Sequence, residues 1–488
     1  VFILMKALSI LGSGSGAGKS WITTALGAWL HGQGVRVAPF KAQNMSNNAW
    51  VTLDGGEIGR AQAVQAEACG LAPIVEMNPI LLKPSGTQGS QVIVLGQAQG
   101  HCPAAEYYRQ FDRLWRVVTD VLDGWREKCD VLLLEGAGSP VELNLLSRDL
   151  VNLRPCHYLD GRWVFVGDID RGGIFAQLVG AWSLFSSADR ARSIGAIVNR
   201  FRGDLALFAT PQQWLEPHAP GFTVLGTLPF AQDLQPEEED GLAQHDAVRG
   251  SGALMAWVRL PHVSNLTDCQ PWWSDVGVKV QWTSVPRELA QARVVVLPGS
   301  KNTIADLRWM RESGMADAVV SASRRGALII GVCGGFQMLG TSLVDQSGEA
   351  GDAGGERGLG LLPAETQFSA KKIVRQVTAH CEEDHWTAYE IHMGRTNPTA
   401  AVESLHEVED AAGFRPEGMR SGRVWGTYLH GWFESPRVRE MIAEAAGFEG
   451  YHAHPQPWSE QRRAVYRAMG EHLAKHVDLD PLRRYLCL

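Results

Sequence analysis

The chain has 488 residues, 45% hydrophobic and 20% charged, which excludes a largely disordered protein. At roughly 100–200 residues per domain, it has room for two to four domains. Lys and Arg total 45 against 53 Asp and Glu, a net charge of −8, so neither nucleic acid nor an anionic membrane is an expected partner. The opening run to Leu11 is apolar but short, is broken by Lys6 and leads straight into a glycine loop. It reads as a buried strand rather than a membrane span, with Met5 a candidate start. No later stretch reaches ~18 uninterrupted apolar residues, so no transmembrane helix is expected.

Strand-length apolar runs follow at Ala7–Leu11, Val35–Pro39, Val131–Leu134, Trp163–Val166, Ala196–Val198 and Val224–Gly226. Helical stretches separate them, which predicts βαβ units and a parallel sheet covered on both faces. The acidic, glycine-ended stretch 231–252 marks a domain boundary. A second alternating series comprises Leu254–Leu260, Val278–Gln281, Val294–Leu297, Leu328–Gly331 and Val424–Tyr428. Gly348–Gly360 reads as a surface loop and Ser459–His476 as a terminal amphipathic helix. The expected division is a nucleotide domain over 5–235, a linker over 236–252, a second α/β domain over 253–446 and a helical extension over 447–488.

The loop Gly12-Ser13-Gly-Ser-Gly16-Ala-Gly18-Lys19-Ser20 follows a strand and opens a helix. Backbone N–H groups in such a loop bind phosphate oxygens, and the helix N-terminus adds positive potential. Lys19 is placed to reach β/γ-phosphates and the Ser20 hydroxyl to hold Mg²⁺, so ATP and Mg²⁺ are the expected cofactors. The spacing departs from G-x-x-x-x-G-K-[ST]: Ser13 stands where the first glycine belongs, with Gly12 one residue earlier. Glu135 ends an apolar strand, where open parallel sheets bind ligands, and is the first choice for a further metal ligand. Asp54 and Glu57 are weaker choices. Asp168 and Asp170 also follow a strand and could serve metal or substrate, or cap a helix.

The eight cysteines are scattered and include no C-x-x-C pair. This argues against a zinc site of the usual spacing and against a disulfide scaffold, and makes the cytoplasm the default compartment. One cysteine stands out. Leu328-Ile-Ile-Gly-Val-Cys333-Gly334-Gly-Phe is a strand, a cysteine, a tight turn and a helix. That is the geometry of a nucleophile elbow, in which a helix N-terminus favours the thiolate. The Gly334 N–H is a candidate oxyanion donor, with Gly299, in Leu-Pro-Gly299-Ser, supplying the facing one. His430, at the end of the last apolar run, is the candidate base. Cys269 and His262, outside any such setting, read as structural.

Together these residues resemble the cobyric acid synthase family, the glutamine-dependent enzymes of cobalamin biosynthesis. Further matching stretches are Lys41-Ala-Gln-Asn44, Gly55-Gly-Glu57-Ile-Gly-Arg60, Glu135-Gly-Ala-Gly-Ser, Asp168-Ile-Asp-Arg-Gly-Gly and Asn199-Arg-Phe-Arg. In the second half, Pro298-Gly-Ser-Lys-Asn, Tyr389-Glu-Ile-His-Met-Gly394 and Gly426-Thr-Tyr-Leu-His430-Gly match as well. The resemblance implies a dethiobiotin-synthetase-like P-loop domain followed by a flavodoxin-like class I glutamine amidotransferase domain. It implies ATP-dependent activation of the b, d, e and g carboxylates of adenosylcobyrinic acid a,c-diamide, with ammonia taken from glutamine. It gives Asn199 a role toward adenine, Lys41 one toward the acyl phosphate and Asp149 one toward the substrate. Arg148, Arg154 and Arg171 are plausible anion anchors. No obligate protein partner is implied. Ordinary class I amidotransferases carry Glu two residues after the histidine; here that residue is Trp432, which leaves the third triad member open. Glu434 is near in sequence but is not favoured. The alternatives are cobyrinic acid a,c-diamide synthase and a P-loop regulatory ATPase with a degenerate second domain. Intact Cys333 and His430 argue against the latter.

Overall fold

The computed structural model describes residues 5–85, 89–236, 248–346, 348, 354–410 and 412–488. Most of the expected linker 236–252 and part of the loop expected at Gly348–Gly360 lie outside these residues, as do residues 1–4 of the opening run. The chain divides into two compact units. The first comprises Val1–Ser46, Gly56–Glu239 and Arg462–Leu488, and the second Asn47–Gly55 and Asp240–Gln461. Among the described residues, no helix is long and apolar enough to cross a membrane.

The first unit is built on six parallel strands: β1 (Lys6–Gly12), β2 (Val37–Phe40), β3 (Val131–Glu135), β4 (Arg162–Asp168), β5 (Ser193–Phe201) and β6 (Val224–Pro229). They lie in the order β6-β5-β4-β1-β3-β2. The central strands β1, β3 and β4 are almost wholly buried, as strands covered on both faces must be. Order reverses about β1, so the carboxyl ends of β1, β3 and β4 open a crevice at the switch point. Helix α1 (Lys19–Gly32) leaves that crevice and packs Ile22, Leu26 and Leu30 on one face of the sheet. Tyr466, Met469 and Leu473 from the chain's last residues join the same apolar cluster. Arg462 is anchored by paired bonds to the Glu67 carboxylate at 2.9 and 3.0 Å. The terminal helices thus belong to the core of the first unit.

The second unit has a mainly parallel central sheet of β7 (Gly252–Val258), β8 (Gly277–Thr283), β9 (Val294–Leu297), β10 (Leu328–Val332) and β13 (Val424–Thr427). Their order is β8-β7-β9-β10-β13, with short antiparallel strands at both edges. A long antiparallel hairpin of β11 (Ala364–Cys381) and β12 (Asp384–Pro398) lies in a separate sheet. The sequence pattern did not announce this hairpin, because its strands alternate polar and apolar residues instead of forming apolar runs.

Candidate active sites

In the first unit, the turn from β1 into α1 requires two left-handed glycines, Gly16 at φ +75° and Gly18 at φ +97°. Gly18 also lies against Asn199: a Cβ there would sit 2.0 Å from the Asn199 amide nitrogen. The loop is tied to the sheet by a hydrogen bond from Ser13 N–H to the Val166 carbonyl at 2.9 Å. Lys19 folds back over the loop and donates to the carbonyls of Gly14 and Gly138, both at 2.9 Å. Gly12 makes room for its stem. The first helical amides have no partner within the helix, which leaves them available to an anion.

Glu135, buried at the end of β3, is the hub of this site. Its carboxylate accepts from Ser20 Oγ at 2.8 Å, from Lys41 Nζ at 2.8 Å and from the Gln65 amide. Burial raises its pKa, but the Lys41 ammonium and the bonds from Lys41, Gln65 and Ser20 outweigh that and hold it below the ordinary carboxylate range. For Lys19, burial pulls the ammonium down to about 8, with Glu135 opposing and Lys41 adding to the shift. Sequence reasoning missed Gln65, which sits one turn of α2 (Arg60–Ala68) beyond Ala61 with no motif of its own.

The remaining candidates divide. Asn199 is buried on β5 and donates to the Ala17 carbonyl of the loop at 3.0 Å. Asp149 turns inward on its own backbone, accepting the N–H groups of Val151 at 2.8 Å and Asn152 at 3.1 Å. Asp168 pairs with Arg200 at 3.4 Å and Arg171 at 3.6 Å, and Asp170 with Arg202 at 2.9 Å. Glu57 is ion-paired with Lys83. Asp54 differs from expectation: its carboxylate accepts the Thr52 hydroxyl within a turn of the second unit and is not among the groups on Glu135. Arg154 covers the rings of Phe111 and Trp115, at 4.9 and 5.4 Å from their centroids, so its charge is committed to packing.

In the second unit, β10 delivers Cys333 in a strained conformation, φ +51° and ψ −108°, directly before helix α3 (Gly334–Leu339). Few non-glycine residues adopt such a backbone, and such strain clusters at functional sites. The elbow depends on close approach: a Cβ on Gly335 would meet the Leu297 carbonyl at 2.0 Å, and one on Gly331 the Gly335 carbonyl at 2.6 Å. A Cβ on Gly334 would meet the Ser300 amide at 2.8 Å, and one on Gly299 would stand 3.1 Å from the His430 ring. Gly299, Gly334, Cys333 and His430 therefore share one small space.

His430 is fully buried, and its Nδ1 lies 2.7 Å from the Asp268 carboxylate. The other Asp268 oxygen accepts the Gly431 N–H at 3.0 Å. His430 Nε2 makes no hydrogen bond of good geometry, yet Cys333 is near enough to influence it. Burial lowers the His430 pKa, but the Asp268 carboxylate and Cys333 overcome that and raise it well above the ordinary histidine range. Asp268 thus occupies the place of a third member, which the sequence left open. It comes from a 3-10 helix, Leu266–Ser274, 162 positions before His430, and no local motif marks it. Glu434 does not take that place. Trp432 packs in the core and donates its indole N–H to His406. His262, read as structural, is held by Asp306 at 2.7 Å.

Comparison with known proteins agrees with both halves. Residues 8–243 match the CobQ/CobB/MinD/ParA nucleotide binding domain, and residues 255–438 the CobB/CobQ-like glutamine amidotransferase domain. The chain is 44% identical to a cobyric acid synthase of Chloroflexus aggregans, over 95% of this chain and 96% of that one. It is 42% identical to those of Roseiflexus castenholzii, over 95% and 97%, and Nocardia farcinica, over 98% and 96%. With a nucleotide-binding half, an amidotransferase half and end-to-end similarity to these proteins, the chain belongs to the cobyric acid synthase family of glutamine-dependent amidoligases.

Proposed function

We propose that this chain converts adenosylcobyrinic acid a,c-diamide to adenosylcobyric acid by amidating its b, d, e and g carboxylates, with ATP and glutamine consumed at each step, in the cytoplasm. The carrying observation is that one chain holds a Cys333–His430–Asp268 constellation and a Lys19–Ser20–Glu135 phosphate loop. The first suits amide hydrolysis and the second phosphoryl transfer.

In the glutaminase half, His430 holds one proton toward Asp268 and one toward the Cys333 sulfur. The Cys333 thiolate attacks the glutamine amide carbon. The tetrahedral oxyanion is met by the Gly334 N–H and a donor at Gly299. His430 gives its Nε2 proton to the leaving nitrogen, and ammonia departs from a glutamyl thioester. Water, deprotonated by His430, then cleaves the thioester to glutamate and restores the thiolate–imidazolium pair. Asp268 fixes the ring and stabilises its charge. Asp268→Ala should lower glutamate release by about 10³–10⁴-fold. It should leave ammonia-driven amidation standing, so both rates are measured in the same preparation.

In the synthetase half, a substrate carboxylate attacks the γ-phosphorus of ATP, giving an acyl phosphate and ADP. Ammonia displaces the phosphate. Ser20 Oγ and Glu135, 2.8 Å apart, suit Mg²⁺, a cation that takes few protein ligands and leaves positions for phosphate oxygens. Bound there, the cation would neutralise phosphate charge. Lys19 spans the β/γ position, and Lys41 stands beside Glu135 to meet the acyl phosphate. Asn199 faces the adenine side of the loop, and Asp149 borders the substrate.

The lowered Lys19 pKa gives a test of the nucleotide site. Above pH about 8, free Lys19 is partly neutral, and bound phosphates raise its pKa again. ATP binding should therefore take up protons in alkaline buffer and much less at neutral pH. Calorimetry in buffers of different ionisation enthalpy measures this, and Lys19→Arg should abolish the uptake. Buffer-independent heats in alkaline solution would contradict the assignment.

The whole reaction is tested by incubating the chain with the a,c-diamide, ATP and glutamine and weighing the products. Four successive amidations are expected. Amidation of the a and c carboxylates of cobyrinic acid, with none of the others, would favour the a,c-diamide synthase. ATP hydrolysis without amidation would favour a regulatory ATPase.

A further inference from the structure

Residues Asn47–Gly55 interrupt the first unit's sequence and belong to the second. Asn48, Ala49, Trp50, Val51 and Thr52 are buried there. Their contacts converge on the His430 side of the triad. Asn48 Oδ1 accepts the Asn265 N–H at 2.7 Å. Asn265 has a left-handed backbone, φ +55°, and starts the 3-10 helix that carries Asp268 three residues on. The bond to Asn48 therefore fixes a left-handed turn, a conformation that asparagine adopts more readily than most residues. On the other side, the Trp50 ring stands 4.9 Å from the Tyr389 ring. Tyr389 in turn stacks on His430 at 5.3 Å. Its backbone exchanges both hydrogen bonds with His430, at 2.9 and 3.1 Å. Its hydroxyl reaches the Ala49 carbonyl at 3.4 Å. Gln376 of β11 donates to the Val51 carbonyl at 2.6 Å, seating the segment on the long hairpin.

Both ends of the segment run into anchored parts of the first unit. Ser46 N–H donates to the Leu82 carbonyl at 3.0 Å, and five residues before it Lys41 binds Glu135. Beyond the other end, Glu57 N–H donates to the Gly96 carbonyl at 3.1 Å, and the Glu57 side chain pairs with Lys83.

Building on the glutaminase role proposed for Cys333 and His430, we infer that Asn47–Gly55 is a positioning strap for the triad. Asn48 sets the turn that aims Asp268, and Trp50 braces Tyr389 against the His430 ring. Because the strap is continuous with the segment that carries Lys41, the glutaminase depends on the state of the phosphate site. Neither Asn48 nor Trp50 touches the reacting atoms. A triad displaced by a fraction of an ångström loses rate steeply, and ~1 Å costs about 100-fold.

Trp50→Ala, Asn48→Ala and Trp50→Phe test this in the full chain, with glutamate release measured with and without ATP and the corrin substrate. Trp50→Ala and Asn48→Ala should lower the glutaminase kcat roughly 10–100-fold at little change in KM for glutamine. They should also remove any rise caused by ATP and substrate. Trp50→Phe keeps a ring against Tyr389 and should restore most of the rate. Ammonia-driven amidation should stay within about twofold in all three, which also reports that the chain is folded. Wild-type glutaminase and wild-type response to ATP in both alanine variants would overturn the inference. So would a loss through KM alone, or a loss of ammonia-driven amidation that Trp50→Phe does not restore. Cys333→Ala is the separating control. If it keeps glutaminase activity, the site assignment fails; if it is dead while the strap variants are normal, only the strap fails.

Discussion

Lys19→Ala should abolish amide formation with glutamine and with an ammonium salt alike. The side chain is buried, and its ammonium is held by two carbonyls of the loops that frame the phosphate site, Gly14 and Gly138 at 2.9 Å. It is a charge stationed before the ligand arrives, so no reorganisation is needed when phosphate charge develops. Phosphoryl transfer is catalysed almost wholly by such placement, and removing one positive group typically costs about 10³–10⁵-fold. Neither nitrogen source bypasses this step, because both attack the same acyl phosphate. Lys41 does not substitute, since its ammonium is bound to Glu135 at 2.8 Å. Glutamate release should survive in part, because the Cys333 site is in the other unit. Amide formation is followed by mass spectrometry at saturating ATP. Near-normal turnover would remove the phosphate-loop assignment.

The parts of this molecule that announce themselves are those whose chemistry is local in sequence. The buried parallel strands appear as unbroken apolar runs, because both their faces are covered. The phosphate loop and the Cys333 elbow each need glycines at fixed offsets, and the contacts a Cβ would make there show why. Other features depend on residues far apart in sequence. Asp268 meets His430 across 162 positions, and a lone aspartate on a 3-10 turn looks like any surface acid. Gln65 meets Glu135 across 70 positions with an amide that no charge pattern flags. Asn47–Gly55 runs between the Lys41 and Glu57 motifs of the first unit by sequence yet packs with the second. Asp54 and Asp149 show how much local geometry a motif leaves open. Both sit in suggestive motifs, and both carboxylates are used by short-range turns, a common fate of aspartate.

Cys333→Ala should lose glutamine-dependent synthesis and keep synthesis driven by added ammonia. In the proposed mechanism the thiol is required only to break the glutamine amide and takes no part in activating a corrin carboxylate. Its loss deletes the covalent step. His430 does not replace it, because the ring is fully buried and fixed by Asp268 at 2.7 Å. The fold should tolerate the change. The contact of Cys333 Sγ with the Ile391 carbonyl, at 3.6 Å, is weak, and alanine keeps the Cβ on the strained backbone. The phosphate site, with Lys19, Ser20 and Glu135 in place, still makes its acyl phosphate. Only unprotonated ammonia is nucleophilic, so the surviving rate should rise with pH in mildly alkaline buffer. Lys19 sets the limit to that rise. Its pKa of about 8 in the free site must be raised by bound nucleotide for the loop to stay charged, so the rise should persist further at saturating ATP than at low ATP. Amide formation in the variant, with glutamine and then with an ammonium salt across a pH series at two ATP concentrations, measures both effects. Loss of both activities in a folded variant would put Cys333 in the synthetase chemistry or in its coupling. Retained use of glutamine would mean that the elbow is not the glutaminase site.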